Sequence, residues 1–169
     1  MENVIVVDEN DEMIGTMPKD EAHEKNVLHR IAVVYVENEK GEILVQVRSG
    51  GLLDHSAAGH VDPGESYEDA ARRELAEELG IKDVPLHKVG HGQTHNETYE
   101  HIPNPRSHVF DIFACTASPV ALQADEVSGT YWAKPEDVLA DMEKFPGREK
   151  YCVGFRNSLQ EYLKTKSQA

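Results

Sequence analysis

The chain has 169 residues, with 31 acidic against 17 basic side chains and a formal net charge of −14 at pH 7. This length suits one domain with a substantial core. The acidic balance argues against a nucleic-acid duplex as partner, because duplex binding relies on basic side chains that neutralise phosphates. The first residues show no basic region and no long apolar stretch, so we expect a cytoplasmic protein without a membrane partner.

The N-terminal third alternates between β-branched runs and turn signals. Residues 3–7 and 12–17 flank an acidic turn, which predicts a hairpin extension over about residues 1–25 that closes with a short helical turn from Pro18. Residues 29–38 and 42–49 are predicted to form a central hairpin. The region 50–64 is predicted to be a loop, with at most a short strand around residues 56–58.

A helix is predicted between Ser66, a capping residue with an acidic partner at Asp69, and Gly80, which closes it. Further strands are predicted at 84–99, 107–116 and 130–132, with Tyr131 and Trp132 in the core. Helices are predicted at 135–141 and from about 148 to 164, the last containing Cys152. Cys115 and Cys152 are interpreted as buried structural thiols. This order of elements predicts an α/β protein with a mixed β-sheet between helices.

The predicted helix carries three carboxylates, Glu74, Glu77 and Glu78, at positions i, i+3 and i+4. A helix places all three on one face. An apolar row at i+4 spacing is predicted to face the core: Tyr67, Ala71, Leu75 and Leu79. Three like charges repel one another, whereas Mg²⁺ prefers oxygen ligands and completes its shell with water and phosphate oxygens. The helix therefore predicts a divalent-metal site.

Residues 59–81, GHVDPGESYEDAARRELAEELGI, match the Nudix box, G-x5-E-x7-R-E-U-x-E-E-x-G-U, at every fixed position, U being a bulky aliphatic residue. With residue frequencies of roughly 7%, its seven Gly, Glu and Arg positions would match by chance about once in 10⁸ windows. The chain thus resembles a Nudix hydrolase over most of its length. The resemblance implies a Nudix-type α/β/α sandwich, formed by a single domain over residues 1–169.

The resemblance also implies an activity and a cofactor. Nudix hydrolases use Mg²⁺ or Mn²⁺ to cleave the diphosphate linkage of a small molecule, mostly a nucleoside diphosphate derivative. It implies metal ligands at the Gly59 carbonyl and at Glu74, Glu77 and Glu78. A nearby carboxylate takes a proton from the attacking water. That base is a box glutamate or a glutamate on a later loop, for which Glu126 or Asp125 is the candidate.

Four further residues are given supporting roles by the resemblance. Arg73 braces the glutamates through charge-assisted hydrogen bonds, and Glu65 ties the loop to the helix. Arg48 is a candidate phosphate contact, with a solvated strand end as the equal alternative. His60 is a candidate substrate contact because it adjoins the metal loop. Replacing Glu78 by Gln is predicted to abolish activity without destabilising the metal-free protein.

The N-terminal half resembles the Nudix branch that contains isopentenyl-diphosphate isomerases. Those enzymes carry a catalytic cysteine in an S-x-C-G-H stretch, and the corresponding residue here is Ala58, followed by Gly59 and His60. His23 and His29 resemble further metal ligands of the isomerase, whereas Ser107-His108 replaces its Glu-x-Glu pair. Isomerisation is therefore disfavoured. A non-catalytic Nudix ligand-sensing module is a second alternative, which the intact box argues against.

Nine histidines raise the question of a zinc site. None has the HExxH or clustered Cys/His spacing that makes such a site specific, so most are predicted to be ordinary surface or pocket residues. His91, Gln93 and His95 would share one face of a strand. Contact between segment 91–108 and substrate, the identity of the diphosphate compound and the oligomeric state, with a homodimer as one option, stay open.

Overall fold

The computed structural model describes residues 2–145 and 149–168. It contains nine strands: β1 (Asn3–Val7), β2 (Met13–Pro18), β3 (His29–Glu37), β4 (Ile43–Arg48), β5 (Leu53–Asp54), β6 (Ala57–His60), β7 (His87–Glu97), β8 (Arg106–Thr116) and β9 (Val127–Ala133). It also contains four helices: α1 (Lys19–Glu24), α2 (Tyr67–Leu79), α3 (Pro135–Met142) and α4 (Phe155–Ser167). Among the described residues, no helix combines the length and apolar character needed to cross a membrane.

The centre of the sheet is β3, which pairs with strands on both sides. It runs parallel to β8, with His29 opposite His108, and antiparallel to β6, with Ile31 opposite His60. Strand β7 continues the sheet beyond β8, while β4 pairs with β5 and β9. Residues 31–36 are all buried. Such a continuous apolar run is typical of a strand covered on both faces.

Alternate residues of β3 point into two separate cores. Ala32, Val34 and Val36 pack on the side of α2, whereas Ile31, Val33 and Tyr35 pack on the side of α4. The predicted i+4 row of α2 faces the first core: Ala71, Leu75 and Leu79 are buried in it, and Tyr67 is partly buried against it. Ala70, which is outside that row, is buried there as well. Helices thus cover both faces of a mixed sheet, and the predicted α/β/α sandwich is confirmed.

Several sequence predictions require correction. The predicted central hairpin is paired only at its turn, through Glu37 and Ile43, because β3 is occupied along its length by β8 and β6. Region 50–64 contains two strands, β5 and β6, although its Ser-, Ala- and Gly-rich sequence has low β-propensity. Tyr131 is exposed on β9 instead of lying in the core.

The C-terminal helix begins later than predicted. It starts at Phe155, after Gly154 adopts a left-handed conformation with φ of 82°. Cys152 therefore precedes the helix and is half-buried, while Cys115 is buried on β8, and both thiols are free. The predicted start near Arg148 lies outside the described residues.

Candidate active site

The turn between β6 and α2 is fixed by the capping interactions at the helix start. Ser66 Oγ accepts a hydrogen bond from the Asp69 amide, and the Asp69 carboxylate accepts one from the Ser66 amide. At the other end Gly80 adopts φ of 68°, and an added Cβ there would lie 2.8 Å from the Ala121 amide nitrogen. Both predicted ends of the helix are confirmed.

Arg73 joins the helix to the preceding loop. Its Nε donates to Glu65 Oε1 at 2.7 Å, and its Nη2 donates to Glu65 Oε2 and to the His60 carbonyl oxygen, each at 3.0 Å. The remaining nitrogen, Nη1, donates to Glu74 Oε1 at 2.6 Å. Glu65 also accepts a hydrogen bond from the Asp62 amide. These bonds fix the strand end, the loop and the first carboxylate relative to one another.

Glu74 lies directly against the backbone of Gly59. A Cβ built on Gly59 would lie 2.0 Å from Glu74 Oε1, so any larger residue would displace the carboxylate. Burial, followed by the charges of Glu77 and Glu126, raises the pKa of Glu74 to about 7, against the opposing effect of Arg73. The glycine thus permits close approach between the backbone at residue 59 and the Glu74 carboxylate.

Glu78 is the most buried of the three helix carboxylates, with 3% of its surface exposed. Its Oε2 accepts a hydrogen bond from Gln46 Nε2 on β4 at 2.7 Å. Burial, together with the charges of Asp54 and Glu74, raises the pKa of Glu78 to about 9. A buried carboxylate beside two others is costly in its charged form unless a cation joins it.

All eight residues predicted for the site line one cleft. The cleft is bounded by helix α2, strand β6 and the segment before β9. It is lined by Arg48, Gly59, His60, Arg73, Glu74, Glu77, Glu78 and Glu126. Glu77 is half-exposed, and Glu126, in the segment before β9, is exposed. Asp125, the alternative to Glu126, is exposed and outside the set of lining residues.

Arg48 is not a solvated strand end. Its Nη1 donates to Asp54 Oδ2 at 3.0 Å, and Asp54 is buried. The hydrogen bond and charge of His55, and then those of Arg48, hold the pKa of Asp54 at about 2 despite its burial. The guanidinium is therefore held by an ionised carboxylate at the edge of the cleft.

Behind Asp54 a chain of polar groups extends into the core. His55 Nδ1 lies 2.6 Å from Asp54 Oδ1, and His55 Nε2 lies 2.8 Å from Ser158 Oγ. Ser158 Oγ in turn lies 2.7 Å from the Tyr35 hydroxyl. The order Ser–His–Asp is that of a nucleophilic triad, but Ser158 has no exposed surface and cannot reach a substrate. The chain is structural.

A cavity of about 270 Å³ adjoins the cleft and shares its Arg48, Gly59 and His60 walls. Ala58 lies in this wall, at the position where the isomerase pattern has its cysteine. Cys152 and Arg106 line the same cavity. Burial raises the pKa of the Cys152 thiol well above its ordinary value, so the thiol remains protonated.

Four histidines converge at one end of this cavity. They come from four different elements: His23 from α1, His29 from β3, His60 from β6 and His108 from β8. One ligand atom of each lies within 4.8 Å of the others. Burial, with the charge of Arg106 among the further causes, lowers the pKa of all four, to about 4 for His23. The imidazoles are therefore neutral at pH 7.

No local motif predicts this cluster, because its members have no regular spacing along the chain. The resemblance to the isomerase pointed to His23, His29 and His60, and the register of β3 with β8 adds His108. His101 also lines the cavity, so segment 91–108 reaches it through His101 and His108. His91 bonds instead to Asp111, and His95 to Gln93.

Comparison with known proteins adds family information to this geometry. A profile of the NUDIX domain matches residues 27–152. The chain is 36% identical over 175 residues to the uncharacterised Nudix hydrolase YfcD of Shigella flexneri, covering 97% of this chain and 93% of that protein. It is 34% identical to a protein of Halorhodospira halophila named isopentenyl-diphosphate Δ-isomerase, covering 95% of each.

Solved structures support the fold. The protein DR0079 of Deinococcus radiodurans superposes with a TM-score of 0.72 at 23% identity, covering 94% of this chain and 97% of that one. A MutT protein of Methanosarcina mazei superposes with a TM-score of 0.61 at 22% identity, covering 82% and 95%. At these identities the likeness establishes the shared fold alone.

Proposed function

The chain belongs to the Nudix hydrolase family, a family of enzymes that cleave acid anhydrides, and we propose that it hydrolyses the diphosphate linkage of a small molecule with Mg²⁺ or Mn²⁺. Within that class we propose a nucleoside diphosphate derivative as substrate. The observation that carries the proposal is the grouping of Glu74, Glu77 and Glu78 with the Gly59 backbone and Arg48 in one cleft.

The donor set fits a hard divalent cation. The candidate ligands are carboxylate oxygens and one backbone carbonyl, the atoms that Mg²⁺ and Mn²⁺ prefer. Burial raises the pKa values of Glu74 and Glu78, so a cation that binds beside them would favour their charged forms. A bound ion neutralises charge on the diphosphate oxygens and lowers the pKa of water.

The chain's own residues have distinct tasks in this proposal. Arg48, held by Asp54, contacts a phosphate of the substrate and orients it. Arg73 fixes the position of Glu74 and of the loop. Glu126 is our choice of general base, because Glu74 and Glu78 are engaged by Arg73 and Gln46, whereas Glu126 is exposed to the cleft.

The proposed reaction is an in-line displacement at phosphorus. Glu126 accepts a proton from water as the water oxygen bonds to one phosphorus atom. The bond from that phosphorus to the bridging oxygen breaks, and the bridging oxygen leaves with the other phosphoryl group. The products are two phosphorylated molecules, and positioning with charge neutralisation provides most of the rate enhancement.

One observation favours a second candidate, an isopentenyl-diphosphate isomerase activity. It is the similarity at 34% identity to a protein that carries that name. Ala58 opposes it, because isomerisation by proton transfer requires an acid at the alkene. Incubation with isopentenyl diphosphate followed by product analysis distinguishes the two activities.

The hydrolase proposal is tested with a panel of diphosphate compounds, including nucleotide sugars, dinucleotides and coenzyme A. Each compound is incubated with protein and Mg²⁺ or Mn²⁺, and the phosphorylated products are separated and quantified. We expect one class to be cleaved, with a loss of about 10²-fold or more for Glu126→Gln, the usual effect of removing a general base.

Glu78→Gln serves as the inactive control, since it keeps the hydrogen bond from Gln46 but removes the charge. Equal product release by wild type and Glu78→Gln would refute the assigned site. Failure of every compound to be cleaved, with the protein folded and metal present, would favour the ligand-sensing alternative.

A further inference from the structure

The cluster of four imidazoles beside the carboxylate cleft has no role in the hydrolysis proposed above. We propose that His23, His29, His60 and His108 bind a divalent transition-metal ion that prefers nitrogen ligands, at a site separate from that of the glutamates. This inference does not depend on the proposed hydrolase activity.

The geometry of the cluster suits such an ion. Zn–N bonds of about 2.0–2.1 Å place tetrahedral ligand atoms about 3.4 Å apart. His23 Nε2 and His60 Nε2 already lie 3.2 Å apart, and all four ligand atoms lie within 4.8 Å of one another. Small rotations of the rings around a central ion complete the set. The ring centroids of His29 and His108, which face each other in the β3–β8 register, are 4.7 Å apart.

Two buried imidazoles of the cluster have a nitrogen without a hydrogen-bond partner among the described residues. His29 Nδ1 lies 2.7 Å from the Val27 carbonyl oxygen and donates its proton to it, which leaves Nε2 with a lone pair. That Nε2 and His108 Nδ1 are buried and unpartnered within residues 2–145 and 149–168. A backbone carbonyl that holds the second nitrogen is the usual support of a metal-binding histidine.

The composition of the cluster selects the metal. Imidazole suits Zn²⁺, Cu²⁺, Ni²⁺ and related ions, while carboxylates suit Mg²⁺ and Mn²⁺. The cluster presents four imidazole nitrogens with no carboxylate among them. The two neighbouring sites therefore differ in the ions they prefer, so a transition metal and Mg²⁺ can be bound together.

Charged groups of both signs surround the four histidines. Binding of a metal ion there therefore depends on the imidazole ligands and not on a negative electrostatic potential. Lys19 and Arg106 repel a cation near His23, and Asp20 attracts one. Glu2 Oε1 lies 3.7 Å from His60 Nδ1 and can accept its proton when Nε2 binds metal. Because His23, His60 and His108 line the cavity, an ion there would give the cavity a positive wall.

The test measures metal binding directly. Full-length protein is stripped with a chelator, returned to excess Mg²⁺ to occupy the carboxylate site, and titrated with Zn²⁺ by calorimetry. Co²⁺ is added in parallel as a probe whose visible spectrum reports nitrogen coordination. We expect one equivalent of Zn²⁺ to bind in the presence of Mg²⁺. His23→Ala and His108→Asn should each lower the affinity more than about tenfold.

His101→Ala is the matched control, because His101 lines the same cavity but lies outside the cluster. It should bind Zn²⁺ as wild type does. Circular dichroism confirms that each variant is folded, and His23, which is half-buried on a short helix, gives a variant that does not disturb the core. The proposal is overturned if folded wild type binds no Zn²⁺, if Mg²⁺ displaces it, or if only His101→Ala loses it. Catalytic activity enters none of these measurements.

Discussion

Glu78 is a deeply buried carboxyl group, and the cost of ionising it in the folded state predicts a pH dependence of stability. The folded-state pKa is about 9, against an ordinary value of 4.5. Between these values the folded state retains a proton that the unfolded state has lost. Without metal, the contribution of Glu78 to the free energy of unfolding should therefore fall as pH rises from about 5 to about 9, by at most about 1.4 kcal/mol per pH unit. The lowered pKa values of the four clustered histidines act in the opposite direction below about pH 6.5, so the effect of Glu78 is measured as a difference between wild type and a Glu78 variant.

Thermal denaturation in chelator across this pH range checks the prediction. Glu78→Gln should be more stable than wild type at pH 8 and equal to it near pH 4, because the amide cannot ionise. Glu77→Gln is the matched control, since Glu77 lies on the same helix face but is half-exposed. A stability difference between wild type and Glu78→Gln that stays constant between pH 5 and 9 would contradict the argument.

Gly59 is predicted to tolerate no side chain. Gly59→Ala would place a Cβ 2.0 Å from Glu74 Oε1, so the carboxylate must move away from the backbone of residue 59. We expect a loss of hydrolysis of about 10²-fold or more, as misplacement of a reacting group by 1 Å can cause.

Gly129→Ala is the comparison for this variant. Gly129 also lies in a strand, but nothing lies within 4 Å of an added Cβ. Initial-rate kinetics of both variants with Mg²⁺, alongside their melting temperatures, separate a local effect from a general loss of folding. Normal activity of Gly59→Ala would show that Glu74 need not contact this backbone.

For the secondary-structure elements, the face that a segment buries is easier to predict from the sequence than the strands with which it pairs. The apolar run of β3 and the i+4 row of α2 follow from the sequence, because each pattern reports the faces that a segment buries. Which strands flank β3 depends on β6 and β8, which are about 30 and 80 residues distant in sequence. The residues of β6, AAGH, form a strand because they pair with β3, although their sequence has a low β-propensity.

The junction between β6 and α2 is predicted to be the element on which the site depends. Glu65→Ala would remove the partner of two Arg73 nitrogens and of the Asp62 amide. Each charge-assisted bond contributes about 1.5–3 kcal/mol. We expect a drop in kcat of about 10- to 100-fold, typical for a residue that supports metal ligands, together with a lower melting temperature.

Ser66→Ala distinguishes this effect from simple weakening of the helix. It removes the cap of the same helix, at a cost of about 1 kcal/mol, without touching Arg73. Urea denaturation should show a lower stability for both variants, whereas only Glu65→Ala should lose activity. Equal activity losses would mean that the helix end, rather than the Arg73 brace, limits catalysis.

Across the whole molecule, one part of the site can be predicted from the sequence and another part cannot. The carboxylates of α2 lie close together in sequence, so local geometry alone groups them. The four histidines and the Asp54–His55–Ser158 chain are assembled from elements distant in sequence, and the chain joins β5 to α4 across 103 residues. Only the completed sheet, with helices on both faces, brings these groups together.

This chain of polar groups predicts that a buried residue of α4 affects substrate binding. Ser158→Ala would leave the Tyr35 hydroxyl and His55 Nε2 buried without their partner, at about 1–3 kcal/mol for each group. His55 would then hold Asp54 less firmly, and Asp54 would hold Arg48 less firmly. We expect lower stability and a raised KM for the diphosphate substrate, with kcat little changed because no group of the reaction is removed.

Ser167→Ala is the control, since Ser167 lies on the same helix but is exposed, and its hydroxyl donates to the Lys164 carbonyl three residues earlier in that helix. Denaturation curves and steady-state kinetics of both variants test the two parts of the prediction separately. A Ser158→Ala protein with wild-type stability would disprove the network. One with a collapsed kcat and an unchanged KM would instead mean that the chain acts on the reacting groups, because loosening Arg48 alone weakens binding of substrate and transition state together.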